Sequence, residues 1–329
     1  MEIPDGLKRL YKHWGKHCRE DEGADVVGYV DPVIFADMVN FGRERMKIWE
    51  RRQRGERRLW TQDPTLNKYR FCNVYRELDR QTIEFHSLLA RLRPNLALWM
   101  LNMMFCRGVC KLATVKSVGL LSLDVRWNRK VYNNLINLQR PKYGTAYVFP
   151  VSVLKKIGCR NREEFWCFYL PKKIKEMAAL VAKLRDAAVL DTVDRLTEIL
   201  GVNLRFHLTE LLIDVAYQYP ECIDLFIRFP IGPGAKPTLQ RLNKDILAED
   251  LVVLLAKYHV PDFPYLTFDD QRVGLSAENW EGLACEFRKY SNLKAGVGRR
   301  RLFPGSFWVD CLVSDLLYCF ANVGNHFHR

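Results

Sequence analysis

The stretch LDTVDRLTEILGVNLRFHLTELLIDVAYQYP, residues 190–220, constrains this chain most. Leu190, Val193, Leu196, Ile199 and Leu200 recur three, four or one apart, which places them on one helical face. Gly201 follows, where a helix that closes in the left-handed conformation favours a residue without a Cβ. Leu208, Leu211, Leu212 and Val215 then form the face of a second helix. The pattern predicts a helical hairpin with a short turn at Gly201-Val202-Asn203. The new helix would present free backbone N–H groups, which suit an anion; most such hairpins are only structural. Strand signals are sparse elsewhere, so the expected class is all-α or nearly so.

Other segments agree. Asp31-Pro32 reads as an N-cap and first helical position, with Ile34, Met38, Phe41, Ile48 and Trp49 following at helical spacing. That helix runs into a charged tract that Gly55 interrupts. Between Arg43 and Arg58 stand eight basic and three acidic residues. A solvated helix end and a phosphate-facing ridge both fit this tract. Residues 70–92 and 95–112 read as two more helices, 120–145 as irregular, and TAYVFP at 145–150 as a short extended piece. Residues 161–169 open another helical region, and PKKIKEMAALVAKLRDAA is strongly helical with Pro171 at its start.

Lys and Arg number 51 against 38 Asp and Glu, a net charge of +13. That balance favours polyanion partners, nucleic acid or another phosphate-rich ligand. The ten cysteines are scattered without a C-x-x-C pair, so a reduced protein with buried thiols is expected rather than a zinc site. No metal and no cofactor is expected. The N-terminus MEIPDGLKRLYKHW lacks the apolar core of a secretory leader. The longest apolar run, LALWMLNMMFC, is too short to cross a bilayer. Cytosol, nucleoid or nucleus is the expected location, without a membrane partner.

The block RLWTQDPTLNKYRFCNVYRELDRQT, residues 58–82, packs aromatics among charges of both signs. Read as a helix after a capping turn at Thr61 to Pro64, it aligns Arg70, Asn73, Glu77 and Arg80 on one face. Phe71, Val74 and Leu78 take another, with Arg76 and Asp79 beside the polar front. Further candidates follow along the chain. Asp214 sits close to the apolar set of its helix, where a carboxylate must be paired or put to use. Asp224 follows the Tyr219-Pro220 turn. Gly232 and Gly234, with Lys236 and Arg241, form a glycine loop that permits close approach to an anion but lacks a P-loop ending. Lys289 and the run Arg299, Arg300, Arg301 supply a last basic cluster. For each, a capped, paired or solvated residue is the plain alternative.

Several of these pieces together resemble one family. Trp60-Thr61-Gln62-Asp63-Pro64-Thr65-Leu66 and Tyr69 through Arg80 match its W-T-x-D-P-x-L and Y-R-F-C-N-V-Y-R-E-x-D-R patterns. Leu101-Asn102 to Arg107, Gly144-Thr145-Ala146-Tyr147, Phe206 to Val215 with its Asp at Asp214, Gly232-Pro233-Gly234 with Arg241, and Cys285-Glu286-Phe287 with Lys289-Tyr290 follow in order. The chain resembles the α-glutamyl/putrescinyl-thymine pyrophosphorylase family and the helical domain associated with viral 5-hydroxymethyluracil DNA kinases, over residues 40–301. It departs from the pattern at Leu204, where a hairpin glycine is usual, at Glu210 for Gln, at Gly282 for His, and at Ala284.

The resemblance implies a helical fold similar to helix-hairpin-helix DNA glycosylases, with two lobes and a cleft. It implies an N-terminal extension over 1–30, a hypermodification domain over 31–301 with its lobe boundary near 150–170, and a tail over 302–329. It implies a transferase that replaces a phosphate or diphosphate on a thymine-like base in DNA with an amine or amino acid. Asp214, Asp79 and Glu77 would then serve proton transfer or orient the arginines, and Asp224 would act as a base or stabilise a cationic transition state. Arg70, Asn73, Arg76, Arg80, Gly232, Gly234, Lys236, Arg241, Lys289 and Arg299 to Arg301 would hold phosphate or DNA. A base glycosylase, or a non-catalytic DNA-binding module that partners a 5-hydroxymethyluracil DNA kinase, stays open beside it.

Overall fold

A computed structural model describes residues 5–17, 27–139, 141–144, 146 and 149–298. Helices dominate it, and its strands among the described residues are two-residue pairs. The all-α expectation therefore holds. Contacts divide the chain into two compact units, residues 1–79 with 226–329, and residues 80–225. Residues 150–170, where the sequence suggested a divide, lie inside the second unit.

In the first unit the helix Ala277–Lys294 packs against Pro32–Gln53, Pro64–Lys68, Lys236–Leu242 and Ala248–Ala256. Its start is a reciprocal cap. The Asn279 N–H donates to Ser276 Oγ and the Ser276 N–H to Asn279 Oδ1, both at 3.1 Å, which satisfies donors that a helix start leaves unpaired. The Pro32–Gln53 helix starts as the sequence predicts, with Asp31 Oδ1 accepting from Val33 and Ile34 at 3.0 Å and Pro32 at its first position. Asp63 does the same for the short helix Pro64–Lys68, accepting from Thr65 at 2.7 Å and Leu66 at 2.9 Å.

In the second unit the apolar helix Leu96–Val109 is buried nearly all round. It packs on Leu170–Val181 and on Arg205–Gln218, which in turn packs on Val189–Leu200. The predicted hairpin is present. Gly201 closes the first helix at φ +71° and its N–H reaches Thr197 O at 3.0 Å. Leu204, where the family pattern has glycine, sits at φ −122° and is 4% exposed. No left-handed backbone is required there, and its side chain joins the core.

Two expectations need correction. Residues 70–92 are not one helix. Residues 70–75 run without helix, Arg76–Leu78 is a single 3-10 turn, and the α-helix begins at Arg80 and ends at Leu88. The supposed common face of Arg70, Asn73, Glu77 and Arg80 therefore does not exist. The physical reason is local competition. The Asn73 N–H donates to Asp79 Oδ1 at 2.8 Å and Asn73 Nδ2 to Leu78 O at 2.8 Å, so side chains take the backbone groups that a helix would use. Residues 120–145 are not irregular throughout, because Asn128–Asn137 is a helix anchored by buried Asn128, Val131 and Leu135. Of the expected extended piece at 145–150, residues 145, 147 and 148 lie outside the described residues. So do Arg299, Arg300 and Arg301.

Candidate functional site

The segment Arg70–Asn73 has no helix or sheet to satisfy its backbone, so charged side chains from two helices of the first unit do much of it. Buried Arg45 donates Nη2 to Phe71 O at 3.0 Å and Nε to Cys72 O at 3.4 Å. Lys289 Nζ donates to Arg70 O at 2.6 Å and to Glu286 Oε2 at 3.0 Å, and lies 4.5 Å from the Phe71 ring centre. The Cys72 N–H donates to Glu286 Oε2 at 3.2 Å. Each partner takes a backbone group that no regular element pairs.

Around this segment the first unit gathers a dense charge cluster. Arg76 Nη1 stands 3.6 Å from Glu278 Oε1, whose other oxygen accepts from Asn279 Nδ2 at 2.7 Å. Burial pushes the Asp79 carboxyl up to about 6, against the pull of the Asn73 N–H and of Arg76 and Arg45. Glu77 is 1% exposed. Tyr11 donates to its Oε1 at 2.6 Å, while its Oε2 is buried without a hydrogen-bond partner. Burial raises this carboxyl to about 8, so it holds its proton at neutral pH.

The glycine loop joins the same cluster. The Gly232 N–H donates to Glu281 Oε1 at 3.1 Å, and Arg288 Nη1 donates to Pro233 O at 2.9 Å. A Cβ on Gly234 would stand 2.4 Å from Cys285 Sγ, so this glycine is needed for close packing on the Ala277–Lys294 helix. A cavity of about 560 Å³ opens beside the loop, lined by Gly234, Cys285, Glu286, Arg288, Lys289 and Asn292 together with Gly298. That volume falls in the range of roughly 300–1,000 Å³ typical of small-molecule sites. Burial pushes the Cys285 thiol up to about 12, which leaves it protonated and a poor nucleophile. Lys236 and Arg241 are exposed on the short helix Lys236–Leu242.

Asp214 belongs to the second unit and is fully buried. Arg107 grips it with Nε to Oδ2 at 2.7 Å and Nη2 to Oδ1 at 2.6 Å, and His86 Nε2 lies 2.9 Å from Oδ1. Arg107 Nη2 also donates to Thr82 Oγ1 at 3.0 Å. Burial would raise the Asp214 carboxyl, but Arg107 and His86 outweigh it and hold the group well below the usual carboxylate range. Such a carboxylate is a weak base, and its geometry suits orienting Arg107 and His86. Asp224 is buried in the two-residue strand Ile223–Asp224, which pairs in parallel with Ala187–Ala188. Arg80 forms an exposed pair with Glu84 at 3.0 Å.

Sequence reasoning did not single out Arg45, His86, Arg107, Glu278, Glu281 or Glu286 as site residues. Arg107 carried a usable signal, since it is the one charge in the apolar run from Leu96 to Cys110. Glu286 stood in the Cys285-Glu286-Phe287 match, while Glu278 and Glu281 carried little, because only the helix Ala277–Lys294 brings them to the Arg76 cluster. Among the described residues no group of His, Cys, Asp or Glu has an arrangement that would hold a metal ion. No helix among them is long and apolar enough to cross a membrane.

A family model described as "5-hmdU DNA kinase, helical domain" matches residues 32–298. Comparison with curated proteins finds no match, and comparison with solved structures finds none. The matched span includes the Arg76–Asp79 cluster, the Arg107–Asp214 pair and the glycine loop, and the chain belongs to the 5-hmdU DNA kinase helical-domain family.

Proposed function

We propose that this protein takes part in the modification of 5-hydroxymethyluracil in DNA, and that it acts there as a transferase. Family membership supports the first part. In the proposed step a phosphate or diphosphate leaves the 5-methylene of the base with the electrons of the C–O bond. An amine or amino acid nitrogen forms the new C–N bond, and its ammonium proton passes to a carboxylate. The base must leave the stack to be reached.

The observation that carries this reading is Asp79 beside Arg76. A carboxyl raised to about 6 exchanges its proton near neutral pH, and a guanidinium next to it suits a departing phosphate. Lys289 and Arg288 line the adjoining cavity. Mass spectrometry of nucleosides tests it, after incubation with DNA carrying phosphorylated hydroxymethyluracil and a panel of amine donors. A new nucleoside is expected; none with any donor would sink the transferase reading.

A second reading, a non-catalytic DNA-binding module that partners a separate kinase, has its own support. Asp79, Glu281 and Glu286 each accept a backbone N–H, so each also ties the fold together. This reading expects salt-dependent DNA binding that survives Asp79→Asn and yields no product.

A further inference from the structure

Nearly all of the chain's excess positive charge lies in one stretch. Residues 111–185 hold sixteen Lys and Arg against four Asp and Glu, a net +12 when the whole chain carries +13. None of the residues that the sequence suggested for DNA binding falls within it. In the second unit this stretch supplies the helices Leu112–Val118, Asn128–Asn137 and Leu170–Val181 and the turn Phe165–Tyr169. The Asn128–Asn137 helix packs on the first of these helices and on the turn, and the turn packs on Leu170–Val181.

Some of these cations have local work. Arg126 forks onto Asp124, Arg160 pairs with Glu164, and Lys142 pairs with Glu163. Lys130, Lys155, Lys156, Lys172 and Lys175 stand exposed. The Arg129 guanidinium lies 5.1 Å from the Phe168 ring centre. The Asp124 carboxyl is lowered first by the hydrogen bonds from Arg126, and the charge of Lys175 adds to the effect.

Within this basic stretch stands Trp127. It is 74% exposed, the highest value among the large apolar side chains of the described residues. Its neighbour Asn128 is 1% exposed and fixes the backbone on three sides. Asn128 Nδ2 donates to Ser122 O at 2.9 Å and Cys167 O at 3.0 Å, and Oδ1 accepts from the Ser122 N–H at 2.7 Å. An outward indole on an anchored backbone exposes apolar area that a folded chain normally buries. Val131 and Leu135 of the same helix face inward, so there is no continuous apolar face of the kind that lies on a membrane.

We propose that Trp127, with Arg129 and Lys130 beside it in sequence and Lys172 and Lys175 exposed on the helix Leu170–Val181, forms a DNA-docking surface of the second unit. The indole stacks on a base and the cations follow the phosphates. Stacking on an aromatic ring tolerates any base, and each neutralised phosphate releases counterions. The proposal shares with the reading above only that DNA is the partner.

Anisotropy of a fluorescein-labelled duplex with a short single-stranded gap, titrated with the full chain over a series of salt concentrations, tests it. Trp127→Ala weakens binding about tenfold, while Trp127→Phe stays close to the parent protein. Lys130→Glu with Lys172→Glu and Lys175→Glu weakens binding and flattens the salt dependence by about one unit of slope per lost phosphate contact. Thermal unfolding stays at the parent value in each case, since all four residues are exposed. Parent-like affinity and slope in both the Ala and the triple variant would overturn the surface and leave DNA as the partner. Failure of the parent protein to bind DNA at low salt would overturn both. Loss of binding to phosphatidylserine vesicles, with duplex binding intact, would assign the face to membranes and overturn the proposal. Loss of duplex binding in a protein that forms no modified nucleoside would support the surface and count against the transferase.

Discussion

Arg107 meets Asp214 side-on, two parallel hydrogen bonds of 2.7 and 2.6 Å inside the second unit, with neither side chain more than 4% exposed. Such a pair adds geometric definition as well as energy. Removing one partner leaves the other charge buried. Asp214→Asn is therefore expected to cost roughly 3–5 kcal/mol of stability in urea unfolding. Arg107→Met combined with Asp214→Leu should cost less than either change alone. The pH dependence has a definite sign. The folded carboxyl is lowered from 3.8, so its stabilisation is complete above that value and drains away as the pH falls below it.

Glu77 makes the opposite contribution. Its carboxyl rises from 4.5 to about 8 on folding, so the folded state binds the proton more tightly. Stability falls as pH climbs from 4.5 and levels off above 8, a total of about 4–5 kcal/mol at roughly 1.4 kcal/mol per pH unit. Glu77→Gln keeps an acceptor for Tyr11 and removes the titration. The variant should match the parent near pH 4.5 and exceed it at pH 8. Equal pH slopes for the two proteins in urea titrations would contradict the account.

Gly108 lies against the Trp166 indole in the second unit. An added Cβ would stand 2.1 and 2.3 Å from ring carbons of a fully buried side chain. Gly108→Ala is expected to destabilise by about 1–3 kcal/mol or more through overpacking. Trp166→Leu should recover part of the loss in the double variant, measured against each single change. Additive losses would show that the two positions do not compete for space.

Arg45 holds two carbonyls of the Arg70–Asn73 segment, those of Phe71 and Cys72. Arg45→Met strips partners from Phe71 O and Cys72 O and should cost roughly 1–3 kcal/mol. Hydrogen exchange at the Cys72 and Asn73 amides should speed up before global unfolding does. Unchanged exchange at these two amides would mean that Glu286 and Asp79 suffice to hold the loop.

If the transferase reading holds, Asp79 sets its pH profile. Product formation should rise as pH passes about 6, where the carboxyl loses its proton. Asp79→Asn should lower the rate and flatten that limb, while Asp214→Asn acts through stability. A profile unchanged in Asp79→Asn would move the base elsewhere.

Several features were legible because neighbouring residues decide them. The helix starts at Asp31-Pro32 and Asp63-Pro64 and the stop at Gly201 need only a side chain or a φ angle within three residues. The helical periods of Val189–Leu200 and Arg205–Gln218 likewise follow from which side chains avoid water. These local rules established a largely helical chain and its central hairpin. The same rules failed at residues 70–79. Apolar spacing there permits a helix, but Arg45, Glu286 and Lys289, 26 to 219 positions away, capture the backbone of residues 70–72. They failed at Asn128–Asn137 because only Val131 and Leu135 mark its apolar side. Glu77 and Asp79 were visible as carboxylates. Their unusual proton affinities come from burial and from Glu278 and Glu286 on a distant helix. Desolvation and charge pairing are properties of a closed interior, so only the tertiary structure decided which of the many charged residues are solvated and which sit in a site.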